Sequence, residues 1–169
     1  MNRIPHHTSK ARGTYYSEWG TPTEVLQLVR DTFGRIDLDL CSSAKHNKVV
    51  GARNFFTKHE PCPSADSFLE LDMLHSNVWC NPPGPSGLVI DFWRRWLACM
   101  AAGANGAFLI FNLDHWRMLV HPTDEFFIWI PRYRLKYMGA PSQASFPSGV
   151  VFTQQPKIPH GHLLRWGNL

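Results

Sequence analysis

The sequence predicts an α/β fold: one sheet flanked by helices, within a single domain. Three observations predict it. Ala107–Phe111 and Phe126–Ile130 are short, continuously apolar runs, the pattern of strands buried on both faces. Stretches of helical period separate such runs, with Val25, Leu28, Val29 and Phe33 in one and Leu88, Ile90, Phe92, Trp93, Trp96, Leu97 and Met100 in another. The 169 residues suit one domain, and a chain of this size buries roughly 68–70% of its unfolded surface. With 44% hydrophobic and 13% aromatic residues, the composition is that of a globular protein rather than a disordered one.

The expected domain spans residues 15–155, between a disordered basic N-terminal tail at 1–14 and a C-terminal tail at 156–169. Arg3, Lys10 and Arg12 give the first tail its charge; Lys157 and Arg165 give the second its own, and neither contains an acid. The overall charge of +4 therefore sits in the tails. Such tails suit non-specific phosphate contacts, and equally suit solvated chain ends. No apolar run approaches the roughly 20 residues that span a bilayer. The N-terminal residues lack the apolar core of a signal peptide, so a cytoplasmic protein is expected. Cys41, Cys62, Cys80 and Cys99 form no Cys-x-x-Cys pair, which argues against a zinc site and for a reducing compartment; no metal is expected.

In chain order, a helix is predicted over about 22–33. Thr21 is its N-cap, Pro22 its first residue, Glu24 closes a capping box, and Gly34 ends it. Arg35–Leu40 reads as a strand, with Ile36, Leu38 and Leu40 alternating with Asp37 and Asp39. An acid at the carboxyl end of a first strand, followed by the small residues Cys41-Ser42-Ser43-Ala44, is where an open α/β sheet places a ligand. An edge strand with solvated acids accounts for the same pattern. Val49-Val50 and Asn54–Phe56 suggest a short strand, Pro61 and Pro63 a loop, and Asn77–Cys80 another strand. The helix that starts near Leu88 should end near Gly103. A short helix through Leu113, Trp116, Leu119 and Val120 should stop at Pro122. Ser148–Thr153 reads as the last strand, after a loop at 139–147. Beyond Gln154 there is no clear period.

Arg132, Arg134 and Lys136 alternate with Tyr133, Leu135 and Tyr137. On a strand the three cations share one face. That ridge is a candidate nucleic-acid-binding surface, and a plain solvated face explains it as well.

The chain is organised around Val78-Trp79-Cys80-Asn81-Pro82-Pro83-Gly84. An apolar strand stops at Asn81, and two prolines follow. Proline holds φ near about −65° and lacks an N–H, so this is a rigid turn at a strand end. It presents the Asn81 side chain and the Asn81 and Pro82 carbonyls in fixed directions. These groups accept hydrogen bonds and do not titrate, which suits holding and polarising an amine. A turn with a capping Asn is the plainer alternative.

Four pieces share one order: Trp19-Gly20-Thr21-Pro22 opening a helix, Leu38-Asp39-Leu40-Cys41 ending the first strand, Ala65-Asp66-Ser67-Phe68-Leu69, and Asn81-Pro82-Pro83. From about Trp19 to Phe152 the chain resembles the phage-type DNA N6-adenine methyltransferase family, S-adenosylmethionine-dependent enzymes with a Rossmann-like sheet. The resemblance implies methyl transfer to adenine N6 in DNA, with Asn81, Pro82 and Pro83 as the catalytic turn. It implies a cofactor site of Trp19, Thr21, Pro22, Asp39, Cys41 and Asp66. Thr21 and Pro22 would lie along the methionine end, Asp39 by the amino-acid part and Asp66 near the adenine. It suggests protection from restriction as the purpose. The sequence departs from the family pattern at Gly84, where an aromatic residue usually stacks on the target base, and in lacking a glycine-rich loop after the first strand. It also has no room for a separate target-recognition domain, which leaves short loops such as 139–147. A catalytically weak or inactive relative that binds nucleic acid or a partner is the alternative these departures support.

Overall fold

The structure is a computed structural model that describes residues 19–57, 60–69, 72–84, 86–121, 125–158 and 160–166. The tail expected at 1–14 and the helix stop expected at Pro122 lie outside the described residues.

Helix α1 (Thr23–Phe33) starts one residue after Pro22 and ends at Gly34, whose φ of 82° favours glycine. The expected capping box does not form. Pro22 occupies the cap, no side chain bonds to the first turn, and the Thr21 hydroxyl has a distant partner described below. Strand β1 (Leu38–Asp39) follows, then α2 (Ala44–Val50) and β2 (Asn54–Phe55). Val49-Val50 is thus the end of a helix, not a strand. Ser43 Oγ caps its start by accepting from His46 N at 3.1 Å, and Gly51 closes it at φ 64°. Next come α3 (Ala65–Leu69), β3 (Asn77–Cys80), α4 (Ser86–Ala101), β4 (Asn105–Ile110), a 3-10 turn at Leu113–His115 running into α5 (Trp116–Leu119), β5 (Phe126–Ile130), β6 (Gly149–Phe152) and β7 (His162–Trp166).

The seven strands form one sheet in the order β2-β1-β3-β4-β6-β5-β7. The first four are parallel. β6 runs antiparallel to both β4 and β5, and β7 antiparallel to β5. From β1 the chain crosses outward through α2 to β2, then returns past β1 through α3 to β3. Right-handed crossovers that travel in opposite directions must use opposite faces of the sheet. The core shows this: Val50 of α2 packs with Val25, Leu26 and Val29 of α1 against Trp79 and Leu109. Phe68 of α3 packs with Trp93 and Trp96 of α4 against Val78, Cys80 and Phe108 on the other face. Helix α4 comes in close at β4, where a Cβ on Gly106 would strike the Val78 carbonyl and lie 2.9 Å from Trp96 Nε1.

β1 is an interior strand, which overturns the reading of an edge strand with solvated acids. Its ladder extends beyond the two core residues, with Asp37 N bonded to Asn77 O at 2.9 Å and Leu40 N to Trp79 O at 3.0 Å. Asp37 and Asp39 are both buried.

Two more expectations are corrected. Arg132–Tyr137 is not a strand: Arg132 and Tyr133 are bends, and both edges of the preceding β5 are taken by β6 and β7. Its backbone is tied instead by Ala144 N to Leu135 O at 2.8 Å and by the paired Gly20–Met138 bonds. Arg132, Arg134 and Lys136 remain exposed, as does Tyr133, while Leu135 and Tyr137 are buried. The expected tail at 156–169 contains β7, which closes the far edge of the sheet and seats Trp166 edge-on against Trp116 at 5.3 Å. The exposed and half-buried residues of this edge strand leave little apolar alternation to read in the sequence.

Candidate active site

Parallel strands end together, and the chain leaves β1 and β3 toward opposite faces. In open α/β sheets the crevice between such strand ends is where ligands bind. A cavity of about 790 Å³ opens there, within the usual ~300–1,000 Å³ of small-molecule sites. The residues after β1 form one wall and Asn81–Gly84 after β3 another; Trp19–Thr21 and the 142–146 segment also line it.

Asp39 ends β1 and is 1% exposed. Its Oδ1 accepts from Cys41 N at 3.0 Å. Its Oδ2 is buried with no hydrogen-bond partner among the described residues, and the same holds for the Ser42 hydroxyl beside it. Burial pushes the Asp39 carboxyl up to about 7, against the opposing influence of the Cys41 N–H and the nearby Ser42 hydroxyl, which does not complete an aligned bond. A buried carboxylate oxygen without a partner is costly. A ligand cation or N–H donor would relieve it.

Asn81 is half-buried, and its Nδ2 donates to Thr21 Oγ1 at 3.1 Å. With Nδ2 held, Oδ1 is the acceptor left on that side chain. Pro82 is buried and Pro83 half-buried, so the turn is packed as well as covalently stiff. Thr21, 4% exposed, sits 60 residues away in sequence; its hydroxyl orients Asn81 instead of capping α1.

Arg95 brings a positive charge to the cavity from the middle of α4, with its guanidinium 4.9 Å from the centre of the Phe92 ring. It makes no salt bridge among the described residues. Burial pushes the thiols of Cys41 and Cys62, both at the cavity, up to about 12 despite the opposing charge of Arg95. Both thiols stay protonated at neutral pH, a poor state for a nucleophile. All four cysteines are free. Among the described residues no group of three His, Cys, Asp or Glu side chains is placed to hold a metal ion, and no helix is long and apolar enough to cross a membrane.

The structure thus brings Trp19, Thr21, Asp39, Cys41, Asn81, Pro82 and Pro83 to one cavity. Pro22 lies buried just outside its lining. Asp66 does not reach it: the residue is exposed on the first turn of α3. Arg132 and Arg134 flank a second, shallower depression, and Lys136 is exposed apart from both. Sequence reasoning misses Arg95, Phe56 and Tyr137 as lining residues. Arg95 falls within a helical pattern whose apolar positions carry the signal, so its inward direction has no separate mark. Tyr137 belongs by sequence to the ridge at 132–137, although its alternation with Lys136 does mark it as an inward position.

The family model for DNA N-6-adenine-methyltransferase (Dam) matches residues 8–149. No curated protein and no solved structure matches the chain.

Proposed function

Since the chain belongs to the DNA N-6-adenine-methyltransferase (Dam) family, we propose that it transfers a methyl group from S-adenosylmethionine to the exocyclic N6 amine of adenine in DNA. The observation that carries this reading is the pairing, in one cavity, of the unpartnered Asp39 Oδ2 with the oriented amide of Asn81.

The residues suit the cofactor. Asp39 offers a buried acceptor to its ammonium, Arg95 a cation to an anionic group, and Leu40, Val50 and Phe56 an apolar wall to its adenine. Trp19, Thr21 and Cys41 complete the lining in this reading. When bound, S-adenosylmethionine supplies an electrophilic methyl group. The protein's own task is the amine. An exocyclic adenine nitrogen is a poor nucleophile because its lone pair is delocalised into the ring. Asn81 Oδ1 and the Pro82 carbonyl accept its two hydrogens, which favours a tetrahedral nitrogen with a localised lone pair. They also stabilise the positive charge that builds there until one of the two N–H protons is lost to water, which leaves N6-methyladenine and the neutral demethylated thioether. Acceptors fixed before the reaction need no reorganisation during it, and the two rigid prolines hold them in position.

The target base must leave the duplex stack to enter the cavity. Arg132, Arg134 and Lys136, all exposed, would track the backbone phosphates beside it. The sheet is in this reading a Rossmann-like methyltransferase sheet, and four free cysteines agree with a reducing, cytoplasmic setting. Gly84 favours a second reading, a relative that binds DNA without methyl transfer, but that reading gives the buried Asp39 no role.

Incubation of the purified chain with S-adenosylmethionine and unmethylated DNA, followed by mass spectrometry of the digested nucleosides, tests the proposal. N6-methyladenine should accumulate with enzyme and time. DNA binding without any methylated base would move the assignment to the second reading.

A further inference from the structure

Gly84 leaves the residue after Asn81-Pro82-Pro83 without a side chain, so the turn itself offers no surface to the face of a base. An extrahelical base is held between aromatic or apolar side chains. Two nearby aromatic rings are already committed: Trp79 and Trp93 are buried in the core at 0% and 3% exposure. Phe92 is also largely buried and lies under the Arg95 guanidinium.

Among the described residues six large hydrophobic side chains are exposed, and only two of them, Leu88 and Phe146, line the cavity. Leu88 is on the first turn of α4, directly after the Asn81–Gly84 turn. Phe146 comes from the loop at 139–147. Hydrogen bonds anchor this loop on both sides of Phe146, from Ala144 N to Leu135 O at 2.8 Å and from Leu113 N to Pro147 O at 3.0 Å. The ring therefore stands on a fixed backbone while 46% of its surface meets solvent. Ligand cavities are lined largely by apolar and aromatic side chains, and these two stand in the lining with surface still open to an entering group.

We propose that Phe146 and Leu88 hold the faces of the extrahelical adenine, so that the stacking surface absent at Gly84 is supplied by two other elements. This rests on the methyl-transfer reading above and names the residues that capture its substrate.

The test uses the full chain and the variants Phe146→Ala, Leu88→Ala and Phe146→Tyr. Tritiated methyl transfer is followed against the concentration of unmethylated plasmid DNA, and calorimetry with S-adenosylhomocysteine reads the cofactor site. Phe146→Ala should raise KM for DNA about 5- to 160-fold, the range of one lost base–aromatic stack. Leu88→Ala should raise it about 2- to 10-fold, an apolar contact being worth less than a stack. Cofactor affinity, thermal midpoint and the slope of DNA affinity against salt should stay at wild-type values, and Phe146→Tyr should restore KM. A wild-type KM in Phe146→Ala, or no rescue by tyrosine, would overturn the inference. A matching loss of cofactor affinity would overturn it too, by assigning Phe146 to the cofactor. If the wild-type chain transfers no methyl group at all, the methyl-transfer reading fails and this inference falls with it.

Discussion

Asp37 and Asp39 lie two residues apart on one buried strand, and their surroundings differ in kind. At the amino end of β1, Asp37 Oδ2 accepts from Asn77 N at 3.1 Å, and Arg35 Nε stands 2.8 Å from Oδ1 as a charge partner rather than an aligned hydrogen bond. At the carboxyl end, Asp39 has one backbone bond and one oxygen with nothing to accept from. The first acid ties β1 to β3 through one oxygen, and its other oxygen faces the charge of Arg35. The second is left unsatisfied by the fold, at the point where the chain leaves β1 and β3 in opposite directions. Burial is thus common to both acids; what sets Asp39 apart is an oxygen without a charge or hydrogen-bond partner, in the lining of a cavity.

Substitutions separate the two ends. The largest effect should come from Asn81→Ala, which removes the proposed amine acceptor. Methyl transfer should fall by about 10²–10³-fold, the usual cost of one preorganised hydrogen-bonding group, with an unchanged thermal midpoint. Activity within a few-fold of wild type would remove Asn81 from the chemistry.

The two acids should respond in opposite senses. Asp37→Ala leaves the Asn77 N–H without its acceptor and should destabilise the fold by about 1–3 kcal/mol. Asp39→Asn should stabilise the ligand-free fold at pH 8. The Asp39 carboxyl is raised from 3.8 to about 7 on folding. Below about pH 4 it is neutral in both states and costs nothing. As pH rises toward 7 the unfolded state ionises while the folded state still holds its proton, so stability is lost across that window and levels off above it. Urea unfolding at pH 4 and pH 8 should show Asp39→Asn gaining on wild type by about 1–4 kcal/mol at the higher pH, because each tenfold change in proton affinity is worth about 1.4 kcal/mol. Parallel pH profiles would mean that Asp39 has found a partner in solution.

Thr21→Val should lower kcat about 5- to 10-fold, the worth of one orienting hydrogen bond, with Thr21→Ser restoring the rate. Equal losses in Val and Ser would make Thr21 a packing residue only. The smallest effect belongs to the ridge: Arg134→Ala should weaken DNA binding a few-fold and reduce its salt slope by about one. An unchanged slope would leave Arg134 as a solvated surface residue.

What is legible in the sequence follows from local pattern. α1 and α4 announce themselves by period, β4 and β5 by unbroken apolar runs, and the Asn81-Pro82-Pro83 turn by residues that allow little else. Asp39 can be placed at a strand end but not judged buried, since that depends on β2 and β3 pairing on both sides of β1. Thr21 shows the limit best. Thr-Pro-Thr-Glu reads locally as a capping box, but its hydroxyl bonds to Asn81, and a partner that distant competes only once the chain has folded. β7 and the irregular segment at 132–137 escape sequence reading for a related reason. Which edge of β5 is free depends on the whole sheet, not on the segment that would pair with it. Asp66 enters the expected site by resemblance of motif, and its exposed place on α3 does not bring it to the cavity.

The central claim is that the cavity between β1 and β3 holds the cofactor through Asp39. Calorimetry of wild type and Asp39→Asn with S-adenosylmethionine at pH 8 tests it most directly, because the variant is expected to fold at least as stably as the parent. The account predicts micromolar binding by wild type and a loss of at least about tenfold in the variant, as for a charge-assisted bond worth ~1.5–3 kcal/mol. Equal affinity in the two proteins would contradict it.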